Sequence, residues 1–80
     1  QIMDHAEEIA RLTAAIEAEE GNAALYVERG KLHFRAHDFG SALNDFNTVL
    51  RLDETNAEVM QYVKMINEIL EYRCTDYYNP

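Results

Sequence analysis

Two histidines stand four apart in the chain, His33 and His37, with Asp38 directly after the second. On a helix that spacing sets two imidazoles on one face, and a carboxylate beside them completes a donor set that could seat zinc. A zinc-hydrolase reading needs more. The H-E-x-x-H motif wants Glu after the first histidine, and Phe34 stands there. Asp38-Phe39-Gly40 spells the triplet that holds magnesium in protein kinases, yet the chain has no G-x-G-x-x-G loop, V-A-I-K strand or H-R-D loop. Cys74, the one cysteine, has Arg73 beside it and no histidine close in sequence to act as its base. Acidic pairs (Glu7-Glu8, Glu19-Glu20, Asp53-Glu54) lie near helix ends, where a solvated face is the simpler reading. The expectation is a non-enzyme with no catalytic residue, no cofactor and no metal.

Composition narrows the partners. Fifteen Asp plus Glu face seven Lys plus Arg, a net charge of -8. A polyanion meets net repulsion, so nucleic acid and acidic membrane surfaces are not expected partners, and a protein or peptide is. A single cysteine forms no internal disulfide and suits a reducing compartment, so the expected location is cytoplasmic. No apolar run reaches membrane-spanning length. The chain opens on Gln1 rather than Met, which is compatible with an upstream segment, including a removed signal peptide.

Any such residues must be positioned by helices, because little in the chain favours strands. Apolar spacing and stop signals predict four. The first runs from Asp4 to Glu20, with Ile9, Leu12, Ala15 and Ile16 on one face. Asp4 is its expected cap, paired with Glu7, and Gly21-Asn22 its expected left-handed stop. The second runs from Ala23 to Ala36 and contains Gly30, whose cost inside a helix implies close approach of a second backbone. Asp38 is the expected cap of the third, from Phe39 or Gly40 to Leu52, which buries Ala42, Leu43, Phe46, Val49 and Leu50. The fourth spans Ala57 to Tyr72 or Arg73, and residues 74–80 read as a non-helical tail. One domain, 1–80, holds all four.

The chain also partly matches itself. With Glu7 laid on Ser41, Ile9 falls on Leu43, Leu12 on Phe46, Ala15 on Val49, Ile16 on Leu50 and Asn22 on Asn56. A period of about 34 residues signals stacked helix pairs. The segment Ala23 to Asn56 resembles one tetratricopeptide repeat. The family pattern W-x2-L-G-x2-Y, A-x3-F, P meets Tyr26-x2-Arg29-Gly30-x2-His33, Ala42-x3-Phe46 and Glu54. Gly30, Ala42 and Phe46 match outright; Arg29, His33 and Glu54 depart from it. Asp38, Phe39, Leu43, Leu50, Leu52, Asp53 and Asn56 also suit the family. The first helix resembles the second half of a repeat, and the fourth a closing, capping helix.

The resemblance implies an all-α fold of antiparallel helix pairs, in which the first helix of each pair lines a concave binding face. On the second helix that face is Ala24, Val27, Lys31, Phe34 and Arg35. The fourth helix carries two apolar stripes. Val59, Val63, Ile66 and Leu70 should pack on the repeat, whereas Tyr62, Met65, Ile69 and Tyr72 need a cover: a partner, a second copy, or the chain's own Tyr77-Tyr78. The expected function is a scaffold-like protein-binding module using these two sets, with homodimerisation as the alternative. Val27 and Glu28 stand where the family's carboxylate-clamping subset begins its Lys, Asn and Arg set, so that activity is not carried over.

Overall fold

A computed structural model describes the backbone of residues 5–78 and the side chains of residues 5–71. It is all-α: α1 (His5–Ala18), α2 (Ala23–Arg35), α3 (Phe39–Leu52) and α4 (Ala57–Tyr78), with no strand among the described residues. Each helix packs on the next in order, and α2 also meets α4. The expected cap Asp4 lies outside the described residues.

The helix ends follow from side chains in the short loops. Asn22 Oδ1 accepts the Ala24 N–H at 3.1 Å, opening α2. In the last loop, Asn56 Oδ1 accepts the Val59 N–H at 3.0 Å, opening α4. Asp38 opens α3 by accepting the Ser41 N–H at 3.3 Å. Each carbonyl or carboxylate satisfies an amide that the first helical turn leaves without a partner.

The left-handed residue is not where the sequence placed it. Among the described residues only His37 has positive φ, at 62°, and Gly21 has none. His37 follows α2 and closes it with two back-bonds: its own N–H reaches the Phe34 carbonyl at 3.0 Å, and the Asp38 N–H reaches the His33 carbonyl at 2.9 Å. After α1 a different closure works without a left-handed turn. The Glu19 N–H bonds to the Ala15 carbonyl, and the Asn22 side chain holds Glu19.

A second correction concerns α4, which continues to Tyr78 instead of ending at Tyr72 or Arg73. Between Ala57 and Tyr78 there is neither glycine nor proline to stop it; Pro80 is the chain's one proline.

The core is built by Phe39, Ala42, Phe46 and Val49 of α3 with Val59 and Ile66 of α4. Phe46, Val49, Val59 and Ile66 are fully buried. Of the α4 stripe expected to pack inward, Val59 and Ile66 are in this core and Val63 and Leu70 pack against it. Gly30 of α2 is buried over the Phe46 ring. A Cβ at Gly30 would stand 2.6 Å from Phe46 Cε1 and 2.9 Å from Cδ1. The missing side chain therefore makes room for an aromatic ring, not for a second backbone.

Candidate functional site

The most ordered chemistry lies where α1, α2 and α3 meet. Asp45 is buried on the otherwise apolar face of α3. Its carboxylate accepts both arms of the Arg29 guanidinium, from Nε at 2.8 Å and from Nη2 at 2.7 Å. Arg29 Nη1 also donates to Thr13 Oγ1 of α1 at 3.1 Å, and Thr13 in turn donates to the Ile9 carbonyl. The guanidinium lies over the Tyr26 ring, 5.8 Å from its centroid. Hydrogen bonding to the Asp45 carboxylate favours the charged form of Arg29 and raises its pKa against the opposing effect of burial. His33 stands beside the pair, with Nε2 3.8 Å from Asp45 and Nδ1 3.8 Å from Asp38.

Among the described residues no buried side-chain polar atom lacks a hydrogen-bond partner. Through Thr13, Arg29 and Asp45 the cluster ties three helices together, with the buried carboxylate taken up by the guanidinium. The sequence reading missed Asp45. The signal was present: Arg29 falls on the packed side of α2 beside Gly30, and an arginine there calls for a carboxylate on a facing helix.

The two histidines have different surroundings. His33 faces the carboxylates above, whereas the His37 ring stacks 5.8 Å from Phe39. Asp38 is mainly a helix cap. Hydrogen bonds from Ser41, side chain first and backbone second, hold its carboxylate below the ordinary 3.8, with His33 adding to the effect.

The residues expected on a concave face are divided by the structure. Phe34 makes edge contacts with Phe39 and Tyr62, centroids 5.5 and 5.1 Å apart. Tyr62 also stacks on Phe46 at 4.9 Å. Val27 and Ile69 are partly buried against the same core. Met65 stays 41% exposed, and Ala24 is exposed. The Tyr72 side chain lies outside the described residues, as do those of Cys74, Tyr77 and Tyr78. Lys31 Nζ reaches Glu58 on α4 at 2.9 Å, tying the two helices at the surface. Exposed and salt-screened, that pair is worth at most about 1 kcal/mol.

Lys31 and Arg35 also line a second feature, a groove of about 460 Å³ between α1 and α2. Leu12, Ala15 and Leu32 form its apolar floor and Arg11 its α1 rim. The sequence reading did not single out this groove, because its residues come from two helices whose relative placement no single-helix pattern contains. A shallower depression is lined by Ala57, Met60, Gln61 and Lys64.

No helix among the described residues is long and apolar enough to cross a membrane. Compared with protein-family models, curated proteins and solved structures, the chain has no match.

Proposed function

We propose that this chain is a non-catalytic protein-interaction module, built as a tetratricopeptide-like helix pair flanked by a further helix on either side. In this reading it binds a peptide or protein surface where α2 and α4 stand side by side. The observation that carries the reading is Met65: a large flexible apolar side chain, 41% exposed, next in helical order to the half-buried Tyr62 and Ile69. Methionine beside aromatics offers contact area that repacks easily around a partner. The Lys31–Glu58 pair supplies a polar rim that fixes orientation more than affinity. The repeat-like build is supported by the small Gly30 over Phe46, and by Asn22 and Asn56 capping successive helices at related positions.

Phe34 belongs to the core through its ring contacts, so charging it would report on folding. Met65 is the clean probe. A photo-crosslinking amino acid at position 65 is expected to capture a partner in the native cell, and one at the exposed Asn47 of α3 is not. Equal capture at both positions, or none at 65, rejects the reading.

A second reading, self-association, is favoured by Leu52 and Met60, which are 48% and 45% exposed. Light scattering across a dilution series separates the two, since a strict monomer at high concentration removes it.

A further inference from the structure

The groove between α1 and α2 has a counterpart inside the chain that is already filled. On the register that lays Glu7 on Ser41, α1 corresponds to α3 and α2 to α4. The groove residues Arg11, Leu12 and Ala15 then fall on Asp45, Phe46 and Val49, and Leu32 and Arg35 fall on Ile66 and Ile69. Those counterparts belong to the surface that receives α2. Asp45 grips Arg29, Phe46 lies under Gly30, and Val49, Ile66 and Ile69 belong to the core or pack against it. The open groove therefore repeats the build of a seat that in this same molecule holds a helix.

The seat is changed in two ways. Its floor is shallower in side chain, Leu12 for Phe46 and Ala15 for Val49, and apolar, so an extended peptide's backbone would meet no hydrogen-bond partner there. A helix satisfies its own backbone and brings only side chains. The charge is also inverted. Where Asp45 receives an arginine, the groove presents Arg11, loosely paired with Glu8 at 4.0 Å, and cations replace apolar groups at Lys31 (for Met65), which holds Glu58, and Arg35 (for Ile69). Glu8 and Glu28 line the groove too, in the places of Ala42 and Tyr62. Three of the chain's seven Lys plus Arg thus border one groove of a molecule with net charge -8.

We infer that the α1–α2 groove docks an amphipathic helix of a partner that carries a carboxylate where α2 carries Arg29. Met65 does not line the groove, so the inference stands apart from the α2–α4 surface although Lys31 borders both.

The chain itself supplies the probe. Two labelled synthetic peptides reproduce residues 22–37, one with the natural sequence and one with Arg29→Glu, and are titrated by fluorescence anisotropy against the whole 80-residue protein. The Arg29→Glu peptide should bind about fivefold tighter, the scale of one exposed ion pair. Arg11→Asp should reverse that order, and Arg35→Glu should weaken the acidic peptide. The Arg11 side chain is 69% exposed, and unchanged helical circular dichroism checks that the variant stays folded. An order unchanged by Arg11→Asp overturns the inference; so does arginine preference indifferent to Arg11, which would mean invasion of the α2 seat. Failure of both peptides to bind overturns it as well. A dimer in sedimentation that Arg11→Asp dissociates replaces the partner helix with a second copy. Each result leaves the crosslink at position 65 unaffected, so the two readings fail separately.

Discussion

Gly30→Ala tests the packing on which the fold depends. In an exposed helix the change would stabilise by about 1 kcal/mol, because alanine loses less backbone freedom. Here the new Cβ would lie 2.6, 2.9 and 3.0 Å from Phe46 Cε1, Cδ1 and Cζ. The ring cannot swing away, since it is fully buried and stacked on Tyr62 at 4.9 Å. Overpacking of this kind costs about 1–3 kcal/mol. Set against the propensity gain, the net expectation is destabilisation by up to about 2 kcal/mol. With a urea slope of about 1 kcal/mol/M, that moves the unfolding midpoint down by up to roughly 2 M. The assay is urea denaturation followed by circular dichroism at 222 nm. Gly40→Ala is the matched control, because a Cβ there meets nothing within 4 Å and should raise the midpoint. Phe46→Leu shortens the ring that obstructs the Cβ, so the double variant Gly30→Ala/Phe46→Leu should cost less than the sum of its parts. A Gly30→Ala protein as stable as the Gly40→Ala control would refute the reasoning.

Two further outcomes follow from the polar groups. Asp45→Asn keeps the shape but strips the charge facing Arg29, and should cost about 2–3 kcal/mol; Asp45→Asn combined with Arg29→Met should cost less than Asp45→Asn alone, in the same urea assay. Asp38 has its folded pKa lowered, so its stabilisation is present above the ordinary aspartate value of 3.8 and is lost as pH falls through the lower folded value. Asn also caps helices and does not titrate, so Asp38→Asn should match the parent at pH 7 and show a flatter loss of urea midpoint in the acid window. Parallel acid curves for the two proteins would assign the acid sensitivity to other carboxylates.

Several features were legible before any coordinates. Helical periodicity placed α2 and α3 to within a residue, because an amphipathic helix writes its buried face into consecutive positions. Asp38 was readable as a cap for the same reason, since its partner Ser41 is three residues away. The small Gly30 and Ala42 flagged a crossing. What they could not say was that the Gly30 Cβ is excluded by the Phe46 ring, a contact between helices. The left-handed turn was misplaced at Gly21 because residue type records what a position tolerates, whereas His37 is held there by back-bonds to Phe34 and His33.

By itself the sequence determined the local part of this protein: four helices, the Asp38 cap and the stripes they bury. All of these rest on hydrogen bonds or spacings within a few residues. Only the tertiary structure decided which polar side chains meet. It put Asp45 against Arg29 and Thr13, drew Phe34 and Tyr62 together, and left Lys31, Arg35 and Arg11 around one groove. Those groups lie on different helices, and the angles between helices are set by how whole faces pack, information that no single segment carries.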